Sequence, residues 1–192
     1  MENKAAQPSP AEARAALATA QKQQKRARRI YKVFSGASFI IWGSIYTVAY
    51  GITHFRPQLA GPVWLPLVIV GFILSFALGA RIGAFVRSPA GQSLRVLWTS
   101  FGIGYFLLAW ALSARGYDGL LLSFVINLLV AYALLASSLH TRLATLARAA
   151  ALLALTNAVF FALLPGWYDA AMAVLGLLGV FVGLRMVGDR EV

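Results

Sequence analysis

Six apolar stretches, each close to the length of one membrane crossing, recur along this chain at 33–53, 63–80, 96–113, 119–138, 149–164 and 167–184. A helix needs about 20 apolar residues to cross the hydrocarbon core. Inside lipid every backbone N–H and C=O must find its partner within the segment, so runs of this kind become helices. The pattern predicts an all-α fold, a polytopic transmembrane helical bundle of six spans. The fifth run is the shortest, and it spans only if Arg148 returns its guanidinium to the interface. Composition agrees: 60% of the residues are hydrophobic and 12% are charged, against about 45–50% and about 25% in soluble domains. A chain of 192 residues cannot hide that much apolar surface from water in a soluble core. The first run follows a long polar segment and exceeds the about 7–15 apolar residues of a secretory signal, so it reads as an uncleaved span.

The charges set the expected orientation. Net charge is +11. Lys4, Arg14, Lys22, Lys25, Arg26, Arg28, Arg29 and Lys32 precede the first run, Arg81, Arg87 and Arg95 flank the second connection, Arg142 and Arg148 the fourth, and Arg185 and Arg190 follow the last. Arg56 and Arg115 alone fall on the other side. Such a split is what the positive-inside rule expects of N-in, C-in topology. The chain then divides into a cytoplasmic basic N-terminal segment (1–32), a six-helix transmembrane domain (33–187) and a short cytoplasmic tail (188–192). Basic residues gathered beside apolar runs favour the anionic inner leaflet as their partner, and disfavour nucleic acid. Thirteen Arg against four Lys, with abundant Ala, point to a bacterial cytoplasmic (inner) membrane.

Aromatic residues gather at the expected span ends, with Tyr50, Phe55, Trp64, Trp110, Tyr117, Trp167 and Tyr168 outside and Tyr31, Phe34, Phe85 and Trp98 inside. That is the interfacial belt that Trp and Tyr form at headgroup level. The outer turns Arg115-Gly116-Tyr117-Asp118 and Pro165-Gly166-Trp167-Tyr168-Asp169 both place Gly, an aromatic and Asp before the next helix. Tight turns favour these residues, and a duplicated hairpin is the other reading.

Two features are candidates for function. Ser9, Pro10 and Glu12 form a capping-box start to a helix through Arg29. Its run Lys22, Lys25, Arg26, Arg28, Arg29 and Lys32 is a candidate membrane-surface or partner-binding stretch, and also an anchor that fixes orientation. Asn127 and Asn157 lie mid-span, where a side-chain amide needs a partner. With Tyr105, and with Ser100, Ser123, Tyr132 and Thr156 within reach, they are expected to form a mid-membrane polar cluster, either as glue between helices or as the lining of a polar path. Small residues at Gly79 and Gly83 and at Gly176, Gly179 and Gly183 offer close helix approach.

Several chemistries find no footing. The chain has no Cys, and its two histidines, His54 and His140, fall at opposite ends of their spans, so one metal cannot take both. All six acids, Glu2, Glu12, Asp118, Asp169, Asp189 and Glu191, fall at helix ends or tails, whereas ion-coupled pumps bury an ionisable relay. His54, Arg56, Arg115, Asp118 and Asp169 form the one outer cluster with acid–base potential. The expectation is a protein without catalytic residues, cofactor or metal: an accessory or regulatory membrane component acting through helix packing and its basic arm. It would meet a membrane-protein partner or its own homo-oligomer. The alternative is a small-solute transporter or channel.

Overall fold

The computed structural model describes residues 9–81, 89–116 and 118–189, with backbone alone at 89–91 and 113. Among the described residues six α-helices follow one another: α1 Pro10–Phe55, α2 Ala60–Arg81, α3 Pro89–Ala114, α4 Gly119–Thr141, α5 Ala144–Leu163 and α6 Tyr168–Gly188. No strand occurs among the described residues. All six are long and apolar enough to cross a membrane. The fifth, short in the sequence pattern, has 20 residues because α5 begins at Ala144 and takes Arg148 into its second turn. Sequence positions Glu2, Lys4, Gly83, Phe85, Arg87, Tyr117, Arg190 and Glu191 lie outside the described residues.

α1 is one unbroken helix of 46 residues, about 69 Å long at about 1.5 Å per residue. Its start is fixed locally. Ser9 Oγ accepts from the Glu12 N–H at 3.3 Å, while the Ser9 N–H donates to Glu12 Oε2 at 2.8 Å. The pair satisfies donors that the first turn would leave orphaned. Only the second half of α1 is apolar; the half from Pro10 to Arg29 is almost wholly exposed.

The turns after α1 and α5 are short. α1 and α5 end alike, at Arg56 (φ −142°, ψ 70°) and Leu164 (φ −139°, ψ 55°), each followed by a single 3-10 turn that opens on proline, Pro57–Leu59 and Pro165–Trp167. Proline cannot continue the helix it follows, yet its fixed φ suits the start of the next. The turn into α4 is built differently: Asp118 caps it, accepting from the Leu120 N–H at 2.7 Å. Asp169, by contrast, sits inside the first turn of α6. The structural likeness therefore joins the turns after α1 and α5, where proline dictates the geometry. α4 and α5 are joined by two residues, with Arg142 in the left-handed region (φ 55°, ψ 33°).

α1 packs along α6 more closely than any other helices pack. A Cβ on Gly43 would stand 2.6 Å from the Gly176 carbonyl oxygen, and one on Gly176 would stand 2.7 Å from that of Gly43. One turn-pair away, a Cβ on Gly183 would collide with the Gly36 carbonyl oxygen. Gly36 faces Gly183 and Gly43 faces Gly176, so the helices run antiparallel with glycines seven residues apart on each. Only residues without a Cβ let backbones meet this closely. Gly179, expected to share the contact, stands back, with 3.7 Å between its would-be Cβ and the Gly43 Cα.

α2 packs on the other flank of α1, and α5 joins α6 to the α4–α3 pair. Indole-to-serine hydrogen bonds tie the flanks: Trp42 Nε1 donates to Ser75 Oγ (α1 to α2) and Trp98 Nε1 to Ser137 Oγ (α3 to α4), both at 3.1 Å. Phe72 of α2 and Phe106 of α3 meet with ring centroids 5.9 Å apart. Two small cores result. Tyr31, Leu94, Leu143, Leu146 and Met186 gather at the end of the bundle where the basic half of α1 emerges. Tyr50, Ala131, Leu153, Tyr168 and Met172 gather toward the other. Outward, Leu65, Ile73, Ile103, Leu107, Leu155, Val174 and Phe181 are exposed. Water would not tolerate so large an apolar exterior, and lipid covers it without cost.

Candidate functional site

Asn127 of α4 and Asn157 of α5 are fully buried, each 0% exposed. They meet at one hydroxyl. Tyr168 Oη donates to Asn157 Oδ1 at 2.5 Å and accepts from Asn127 Nδ2 at 2.8 Å. Asn127 Nδ2 gives its second hydrogen to Tyr50 Oη at 2.8 Å, and Asn127 Oδ1 accepts from Tyr46 Oη at 2.6 Å. Asn157 Nδ2 donates to the Phe124 carbonyl oxygen at 2.9 Å. Ser123 is a further polar neighbour of Tyr50. Both hydrogens of the Asn127 amide and its oxygen are thus engaged, the condition for burying an amide at small cost. The network joins α1 (Tyr46, Tyr50), α4, α5 and α6 (Tyr168). Aromatic packing encloses it, with the Trp64 ring edge-on to Tyr50 at 4.6 Å and Phe124 stacked on Phe161 at 4.2 Å.

Of the residues that the sequence marks as polar partners, Asn127, Asn157 and Ser123 come together. Tyr105 does not join the hydrogen bonds. It lies half-buried on α3, edge-on to Phe106 at 5.3 Å, as an electrostatic neighbour of Tyr46. Tyr132 and Ser100 are exposed, and Thr156 is half-buried without a place in the network. The tyrosines that do serve, Tyr50 and Tyr168, read as interfacial belt residues in the sequence. They are only 2% and 0% exposed, hydroxyls inward. Phe55, Trp110 and Trp167 keep the exposed position expected of a belt. The available signal was spacing: Tyr46 and Tyr50 are four residues apart and share one helix face.

On the basic half of α1, Lys22, Lys25, Arg26, Arg28 and Arg29 are exposed. Lys32 is half-buried and its Nζ pairs with Asp189 Oδ2 at 3.1 Å. Lys22, Lys25, Arg26 and Arg29 recur at helical spacing on one stripe. Arg28 and Lys32 fall on a neighbouring stripe turned to the bundle, where they line a cleft with the ends of α5 and α6. At the far end His54 is an electrostatic neighbour of Asp169 and lies 5.9 Å from Trp167 between ring centroids. No group of three or more metal-ligating side chains occurs among the described residues.

An all-helical body with six lipid-length helices, an apolar exterior and hydrogen-bonded polar groups inside is that of a multi-pass integral membrane protein. No family model matches the chain, and neither a curated protein nor a solved structure matches it.

Proposed function

We infer that this protein is a non-enzymatic accessory or regulatory component of a bacterial cytoplasmic membrane, oriented N-in and C-in, which presents a rigid basic helix to an acidic partner at the inner surface. One observation carries the reading. α1 runs without a break from its exposed basic half into the segment locked by glycine contacts on α6. A partner held on Lys22, Lys25, Arg26 and Arg29 is therefore coupled mechanically to the bundle rather than tethered by a loop. The split of Lys and Arg between the two ends supports the orientation, and the Arg-rich, Ala-rich composition supports the bacterial membrane.

The polar network supports a structural part for Asn127 and Asn157, because their amides are satisfied by neighbouring side chains and backbone. A solute path through them is the competing reading. Deleting residues 1–29 while keeping Lys32 tests the arm: partner binding is lost and the bundle keeps its melting temperature. Partner binding that survives the deletion overturns the arm's role. Asn127→Leu that abolishes a flux while leaving stability untouched moves the function to transport.

A further inference from the structure

At the basic end of the bundle, α1, the first turn of α5 and the last turn of α6 enclose an open cleft of about 530 Å³. Its polar wall carries Arg28, Lys32 and Arg185 against the single acid Asp189. Asp189 is engaged by Lys32. Among the described residues neither Arg28 nor Arg185 has an ion-pair partner. The rest of the lining is Leu143, Ala144, Thr145, Val182 and Met186. The turn Arg142–Leu143 also delivers the start of α5 to this cleft with an apolar residue at the cap and no side-chain hydrogen bond there, which adds the positive end of a 20-residue helix to the same field.

We propose that this cleft is a binding site for the phosphate headgroup of an anionic phospholipid. Guanidinium forks match phosphate oxygens with paired, charge-assisted hydrogen bonds. Basic pockets between membrane helices near the surface suit such headgroups. The apolar part of the lining favours the lipid over free phosphate: a bare anion gains nothing from exposed Ala144 and half-buried Val182, whereas a phospholipid lays its glyceride end there. Position agrees, because Arg185 directly follows the apolar run of α6 and so stands at headgroup depth. The site rests on the membrane reading but not on the partner assigned to the arm, since Arg185 lies outside the arm.

The test is native mass spectrometry and thermal melting of the full chain in mild detergent, titrated in turn with phosphatidylglycerol, phosphatidylcholine and inorganic phosphate. Phosphatidylglycerol is retained and raises the melting temperature; the other two do neither. Arg185→Gln, an exposed change, weakens phosphatidylglycerol retention about tenfold, the loss expected of one charge-assisted pair. Arg28→Gln does the same, whereas Arg115→Gln, an exposed change at the opposite end of the bundle, leaves retention unchanged. Equal retention of the two lipids, or undiminished retention by Arg185→Gln, overturns the site. Stabilisation by inorganic phosphate that Arg185→Gln removes overturns the lipid assignment in favour of a soluble anion. An arm that fails to bind a protein partner while phosphatidylglycerol retention still depends on Arg185 sinks only the function proposed above.

Discussion

Tyr168 donates its hydroxyl proton to Asn157 across 2.5 Å, linking the start of α6 to the middle of α5 inside the bundle. The same oxygen accepts from Asn127 of α4, so one phenol holds three helices in register. Tyr168→Phe leaves Asn157 Oδ1 without its donor and frees one Asn127 hydrogen. The expected loss is about 1–2 kcal/mol, the upper range for hydrogen bonds between membrane helices. Thermal melting in detergent measures it; an unchanged melting temperature would mean that the hydroxyl is dispensable.

The two asparagines differ in stake. Asn127 has three tyrosine partners, and Asn157 has one tyrosine and one carbonyl. Asn127→Leu therefore lowers the melting temperature further than Asn157→Leu does. The reverse order contradicts the network as drawn.

Much of the fold was legible from the sequence, and the reason is local. Span length and hydropathy are properties of consecutive residues, so all six helices follow from the runs themselves, and Ser9, Pro10 and Glu12 announce the start of α1. Which helix packs on which is not local. The antiparallel pairing of Gly36 with Gly183 and Gly43 with Gly176 was half legible: Gly176 and Gly183 stand out as small residues on one side of α6, but nothing local names Gly36 and Gly43 as the residues they meet. The network was half legible. A mid-span amide calls for partners, yet Tyr50 and Tyr168 stand near span ends, where tyrosine is equally at home in the interface. Depth alone does not say whether a hydroxyl turns to the headgroups or to the core.

The glycine contacts give a paired prediction. Gly43→Ala places a methyl against the Gly176 backbone and pushes α1 off α6, with an expected cost of about 1–3 kcal/mol from overpacking. Gly51→Ala, on the same helix but facing open space, raises stability by up to about 1 kcal/mol through better helix propensity. Chemical or thermal unfolding of both variants checks the signs, and equal effects would mean that α1 and α6 are not in contact at Gly43.

The start of α1 depends on pH. The Ser9 N–H and hydroxyl hold the Glu12 carboxyl below its ordinary value. A group whose folded pKa is depressed stabilises above its unfolded pKa and ceases to do so as pH falls through the folded one. The first turn is therefore ordered at neutral pH and frays once the medium drops below the usual glutamate value of about 4.3. Amide exchange at Glu12 and Ala13 follows this, and Glu12→Gln removes the pH dependence. Exchange rates that show no inflection in that range would contradict the cap.

Orientation in the membrane is directly measurable, because the sequence contains no cysteine. Single cysteines at Gln24, Gln58, Gly166 and Gly188, all at exposed positions, are treated in intact cells with a membrane-impermeant maleimide. With N-in, C-in topology, Gln58→Cys and Gly166→Cys are labelled from outside, while Gln24→Cys and Gly188→Cys are labelled only after permeabilisation. Labelling of Gly188→Cys in intact cells, with Gln24→Cys still protected, would show an odd number of crossings and contradict the six-span bundle.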